Sequence, residues 1–176
     1  MHQRIPVSPT DALFASVWTM YEDSFPAEER RTLSQHQQLM NHSEYRFEAL
    51  LHVDEAVGFL GYWAFENLIF IEHFAVVSSQ RGAGLGSLFL KNFLAENTKR
   101  ILLEVEIPEN EPQQKRILFY QKFGFHLNET PYFQPPYQSG FPSVPMRVMT
   151  FPQAFSESEI NNFVQNFHPI IYGTIL

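Results

Sequence analysis

The run Phe74-Ala75-Val76-Val77-Ser78-Ser79-Gln80-Arg81-Gly82-Ala83-Gly84-Leu85-Gly86 constrains the fold more than any other part of the chain. An apolar, branched stretch that reads as a buried strand stops at two serines and passes three alternating glycines. It then enters a segment with Leu85, Leu88, Phe89, Phe93 and Leu94 on one helical face. The glycines remove side chains that would hold a ligand away from the backbone. A helix start adds unpaired N–H groups and the positive end of the dipole, so this turn suits an anion such as a phosphate. Arg81 contributes a fixed positive charge. The same glycines would also serve a tight turn with no ligand at all, so the flanking sequence has to decide.

Two nucleotide motifs come close. A Walker loop needs Lys and then Ser or Thr after its last glycine, whereas Gly86 is followed directly by Ser87. A dinucleotide fingerprint fits better, because Gly82, Gly84 and Ser87 approximate its small positions and Glu104 lies about twenty residues further on. Against it, Ser78 to Arg81 separate the strand from the glycines, Ser87 replaces the third glycine, and antiparallel strands precede the turn.

Those preceding strands are residues 45–53, 56–65 and 68–77, rich in aromatic and branched side chains and joined by Asp54-Glu55 and Glu66-Asn67. Upstream, an extended start near Arg4 leads to Ser8-Pro9, which offers an N-cap with proline at the first helical position. Leu13, Phe14, Val17, Trp18 and Tyr21 follow at helical spacing, so a first helix ends near Asp23 and a polar second one covers 32–41. Beyond the glycine turn, 101–107 reads as a strand and Pro112 opens another helix, which Gly124 stops before a strand starts at Phe125. A proline- and aromatic-rich loop is expected over 131–145, a strand over 146–151 and a last amphipathic helix over about 156–168. With 176 residues and no dividing linker, a single domain spanning 1–176 is the expectation.

Charge and cysteine content narrow the partners. A net charge of -7 without a long Lys/Arg run argues against nucleic acid and anionic membrane surfaces. The absence of cysteine excludes disulfides, thiolate zinc sites and a thiol nucleophile, and the seven histidines show no metal-ligand spacing. The N-terminus lacks a basic start with a long apolar run, and no apolar run approaches a membrane span, so a cytoplasmic protein is expected. The apolar Pro169-Ile170-Ile171-Tyr172 could cover a partner chain, which leaves room for a homodimer.

The segment from Phe74 through Arg81, Gly84 and Gly86 resembles the coenzyme A motif of the GCN5-related N-acetyltransferases: Arg or Gln, two residues, Gly, one residue, then Gly or Ala. A second block, residues 117–125, resembles that family's tyrosine-bearing helix, with Tyr120 ahead of Gly124-Phe125. The element order is similar over about residues 4–151. The resemblance implies an α/β (α+β) fold with a mixed, mostly antiparallel central sheet and helices on both faces. It implies acetyl-CoA as co-substrate and acetyl transfer to a primary amine of a small molecule or peptide. Phe74, Ala75 and Val76 would offer backbone groups to the pantetheine arm. Arg81, Gly82, Ala83, Gly84, Leu85, Gly86 and Ser87 would hold the pyrophosphate.

In the same reading Tyr120 would protonate the departing thiolate and Glu104 would take the amine's proton, with Glu72 and Glu106 as rivals and His73 a minor contributor. An acid inside the apolar run 101–105 is costly to bury without a purpose, which favours Glu104. The acceptor pocket would draw on Tyr21, Phe25, Glu28 and Glu29 and on Tyr132 and Tyr137, while the run 28–31 otherwise reads as a solvated charge cluster. Two further readings stay open at this stage: an acyl-CoA-binding module without chemistry, and a nicotinamide-dinucleotide enzyme.

Overall fold

The aromatic and branched runs of the first half form three consecutive antiparallel strands, β2 (Tyr45–His52), β3 (Glu55–Ala64) and β4 (Leu68–Val76). The structure, a computed structural model, describes residues 2–173. Val53 and Asp54 both take positive φ (50° and 68°) between β2 and β3, the conformation of a tight hairpin turn. The N-terminal strand β1 (His2–Pro6) pairs antiparallel with β2. Two helices intervene, α1 (Phe14–Ser24) and α2 (Leu33–Leu39). Next come α3 (Leu85–Glu96), β5 (Arg100–Glu106), α4 (Glu111–Gln121), β6 (His126–Gln134), β7 (Val144–Phe151) and α5 (Glu157–Ile171).

The seven strands form one sheet in the order β1-β2-β3-β4-β5-β7-β6, in which β4–β5 is the parallel pair and every other pair is antiparallel. Strand alternation splits the core. On one face, Trp18 and Tyr21 of α1, Leu39 of α2 and Phe163 and Ile171 of α5 pack with Phe47, Phe59, Phe70 and Leu102. On the other, Leu85, Phe89 and Phe93 of α3 and Ile117 and Tyr120 of α4 pack with Ile69, Ile71, Ile101 and Leu103. The expected α/β sheet with helices on both faces is therefore the observed one. Three helices begin with capping boxes, at Thr32/Gln35, Asn110/Gln113 and Ser156/Glu159.

Three expectations change. The first helix starts at Phe14 instead of Pro9, because Ser8 and Asp11 close turns on each other and the Asp11 carboxylate accepts the Ser8 N–H. The expected loop over 131–145 is strand at both ends: β6 runs through Pro131 to Gln134, with a register irregularity between Asn128 and Tyr132 that an edge strand tolerates, and β7 already begins at Val144. Finally, α5 continues past Pro169, and both Ile171 and Tyr172 are buried in this chain's own core. Of the C-terminal apolar run, Pro169 is exposed and Ile170 half-buried.

Candidate active site

β4 and β5 pair only from Leu68↔Arg100 to Ile71↔Leu103. Beyond that point β4 continues along β3 alone and β5 along β7 alone, so the two strands part and leave the near edge of β4 unpaired over 72–76. The parting coincides with a bulge. Gly61 faces His73 and the next residue, Tyr62, faces Ile71, which leaves Glu72 without an opposite number. The bulge sends Glu72 and His73 to the same face, toward Trp63 and toward Tyr21 and Phe25 respectively. Phe74 then returns to the α3/α4 face. Gly58 permits close strand approach here, since a Cβ would lie 2.2 Å from the Ala75 carbonyl oxygen.

The wedge is a cleft of about 580 Å³. Phe74, Ala75, Val76, Arg81 and Gly86 line one side, and Pro112, Lys115, Arg116, Phe119 and Tyr120 of α4 the other. At the glycine turn, Gly82 and Gly84 adopt φ of 83° and 80°, and α3 begins at Leu85 with no side chain capping its first amides. A Cβ on Gly82 or Gly84 would meet nothing within 4 Å, so the space in front of the turn is open. Ala83 is exposed and Ser87 half-buried, whereas the Leu85 side chain packs into the core and leaves its backbone to the turn. Arg81 folds back, its Nε donating to the Val76 carbonyl at 3.1 Å, which carries the charge toward the end of β4.

Both strand carboxylates reach the cleft, in opposite surroundings. Burial pushes Glu72 up, but the Arg31 guanidinium 2.8 Å away and His73 outweigh it and hold the carboxyl at about 2. Burial also pushes Glu104 up, and there it prevails over hydrogen bonds from Tyr132, Gln134 and Tyr172. Tyr172 donates to the carboxylate at 2.8 and 2.9 Å, while Tyr132 and Gln134 make shorter contacts. Tyr120 is buried against Phe119 and Phe125, and burial raises its phenol to about 12. Its hydroxyl has no hydrogen-bond partner among the described residues.

Of the four aromatic residues expected at the acceptor side, only Phe25 lines the cleft, beside Ser24. Tyr21 is wholly buried among Trp18, His36, Phe59 and His73, because the helical face it occupies is the core face of α1. Tyr137 is buried with its ring 4.7 Å from the Arg31 guanidinium. Tyr132 reaches the site through Glu104 and does not stand on the cleft wall. Glu106 is engaged by Arg116.

Residues 10–125 match the Acetyltransferase (GNAT) family. The chain belongs to the GNAT acetyltransferases. A GNAT-family acetyltransferase from Bacteroides thetaiotaomicron has 30% sequence identity and a TM-score of 0.92, over 98% of this chain and 99% of that one. Two more distant structures share the fold. The ribosomal-protein-S18-alanine N-acetyltransferase from Escherichia coli has 16% identity and a TM-score of 0.62, over 89% of this chain and 96% of that one. Naa50 from Arabidopsis thaliana, solved with the bisubstrate analogue CoA-Ac-MVNAL, has 20% identity and a TM-score of 0.62, over 88% and 99%. No curated protein matches the chain.

Several groups at the cleft of this GNAT acetyltransferase escaped the sequence reading: Arg31, Gln134, His168 and Tyr172 around the carboxylates, and Lys115 and Arg116 on α4. Arg31 stood in the cluster expected to be solvated, yet it is 2% exposed and also donates to the Ile171 carbonyl at 2.6 Å. The i, i+4 spacing of Arg116 to Tyr120, and of Lys115 to Phe119, could have flagged the last two.

Proposed function

We propose that the cleft takes acetyl-CoA as co-substrate and that the protein acetylates a primary amine of a small molecule or peptide by direct attack on the thioester. The observation that carries this reading is the unpaired edge of β4 running straight into an uncapped, glycine-opened helix start. A strand edge suits the amides of a pantetheine arm, and the α3 amides suit a pyrophosphate. Arg81 sets positive charge at the cleft, and Lys115 and Arg116, paired with Glu111 and Glu106, stand on its other wall. Acetyl-CoA supplies the activated acyl group. Backbone groups of Phe74, Ala75 and Val76 orient it, and an N–H near Val76 faces the oxygen that gains charge.

Glu104 is the base and Tyr120 the acid. A carboxyl held at about 2, as Glu72 is, binds a proton too weakly to draw one from an ammonium, whereas the raised Glu104 is better matched. Tyr120 keeps its proton at neutral pH, and its free hydroxyl can give that proton to the leaving sulfur. The aromatic face of Phe25 at the cleft favours an acceptor that arrives as a cation.

Titration calorimetry with acetyl-CoA tests the first half, and a thiol-release screen over polyamines, aminoglycosides, amino acids and peptide N-termini tests the second. Binding followed by thiol release with at least one amine is expected. Binding with no thiol release from any amine would reduce the protein to a coenzyme A-binding module, and preferential binding of NAD(H) would overturn the reading altogether.

A further inference from the structure

We infer that Tyr132 and His168 form a relay that carries the proton taken up by Glu104 out of the cleft, which makes the C-terminal helix α5 a working part of the site. The inference rests on Glu104 being the base of the reaction proposed above.

A base buried at the bottom of a cleft gains a proton with every acetyl transfer and must lose it before the next. The Glu104 carboxylate faces the cleft on one side, where the substrates would exclude water, and a polar network on the other. In that network the Tyr132 hydroxyl lies against Glu104 Oε1 and 2.6 Å from His168 Nε2. Gln134 and Tyr172 hold the remaining lone pairs of the carboxylate but lead no further. Tyr132 thus joins the base to a second group able to accept a proton. That group sits on α5, 8% exposed itself, with Gln165 a turn earlier and Pro169 next to it exposed.

The step balances without any further reactant. Glu104 takes one proton from the acceptor's ammonium, which frees the amine to attack, and becomes a carboxylic acid; the second N–H proton replaces the one Tyr120 gives the sulfur. Its O–H then breaks as an O–H forms on Tyr132 Oη, while the original Tyr132 O–H breaks and an N–H forms at His168 Nε2. Glu104 is ionised again, Tyr132 is unchanged and His168 is an imidazolium, which releases its Nδ1 proton to solvent; exchange with water back to the Nδ1–H tautomer readies Nε2 for the next proton. Burial holds His168 at about 4, so it is neutral at working pH and gives up a proton readily once charged. Tyr132 donates to Glu104 while the carboxylate is ionised; once Glu104 is protonated its O–H donates to Tyr132, whose own hydroxyl turns to His168 Nε2 in the Nδ1–H tautomer. Tyr132, Tyr172 and Phe163 surround its ring, and the charged groups nearby are Glu104 and, behind Tyr137, the Glu72–Arg31 pair. Tyr132 and His168 act through Glu104 and are positioning residues.

The test compares wild type with His168→Gln, which keeps a hydrogen-bonding side chain but cannot take the proton, and with His168→Ala. Thiol release is followed across pH at saturating acetyl-CoA with the best acceptor from the screen. For His168→Gln, kcat should fall about tenfold or more, with both KM values within about twofold. Added imidazole should restore part of the rate to His168→Ala. Tyr132→Phe should lose rate and also move the acid limb of kcat/KM to higher pH, since a hydrogen bond favouring ionised Glu104 is gone.

A His168→Gln enzyme with unchanged kcat and pH profile would overturn the relay while leaving the proposed reaction standing. A wild type that releases no thiol with any amine would sink the reaction and the relay together. Nitrogen-15 NMR needs no acceptor. Glu104→Gln should lower the titration midpoint of His168, assigned by its loss in His168→Gln, and an unmoved midpoint also overturns the relay.

Discussion

Glu72 and Glu104 approach one cleft from adjacent strands, and a single neighbour separates their roles. Arg31 beside Glu72 makes that carboxylate an anchor. Glu104 faces two phenols and an amide, with no cation in contact among the described residues. The matching substitutions should fail in different ways. Glu104→Gln should leave acetyl-CoA affinity intact and lower kcat by roughly 10²-fold or more. Glu72→Gln strands the guanidinium of Arg31 in the core and should cost on the order of 3 kcal/mol in urea unfolding. If Glu72→Gln unfolds like wild type and loses only kcat, the roles are reversed. Tyr120→Phe should lower kcat with little change in KM. Because its phenol lies near 12, any alkaline limb of the wild-type profile below pH 10 belongs to another group.

At the scale of elements, the bulge at Glu72 and the turn before α3 prepare the cleft, one by swinging β4 clear of β5 and the other by opening the helix start. Gly84 serves the turn twice, through its positive φ and through the space in front of it. Gly84→Ala incurs the backbone strain and should cost about 1 kcal/mol, a fall of about 2–4 °C in Tm. Gly84→Asn tolerates the left-handed conformation, so its Tm should lie closer to wild type. Calorimetry should nevertheless show weaker acetyl-CoA binding for both variants, because each places a side chain before the α3 amides. Normal binding by the folded Asn variant would mean that the turn does not face the co-substrate.

The same contrast shows what was legible in the sequence. The turn, the hairpins and Tyr120 depend on spacing within a few residues, and Glu104 stood out as an acid in an apolar strand. Arg31, Gln134 and Tyr172 meet their carboxylates across 41, 30 and 68 residues, a distance over which no periodicity reports. β6 was half hidden because Pro131 reads as a loop unless the strand is known to be at the sheet's edge.

The whole molecule places unusual polar groups in the core between the sheet and the α1/α2/α5 layer, and that layer should respond to acid as a unit. His36 is completely buried among Trp18, Tyr21, Tyr45 and Phe47, with neither ring nitrogen hydrogen-bonded among the described residues. Burial, and then the charge of Arg31, hold it at about 3. A histidine with a depressed folded pKa contributes stability that is complete above its unfolded value of about 6.5 and is lost as pH falls from there toward the folded value. Glu72, also depressed, contributes stability that is complete above about 4.5 and is lost toward about 2. Unfolding by acid should therefore begin with His36 and steepen below about pH 4.5 as Glu72 joins. His36→Phe removes the first of these and replaces unpaired ring nitrogens with apolar surface, so it should match or exceed wild-type stability at pH 7. Between pH 7 and 5 wild type should lose about 2 kcal/mol from this one group and the variant should not. Urea midpoints measured at both pH values check this. Parallel losses in the two proteins would show that His36 finds a partner in solution that this packing does not give it.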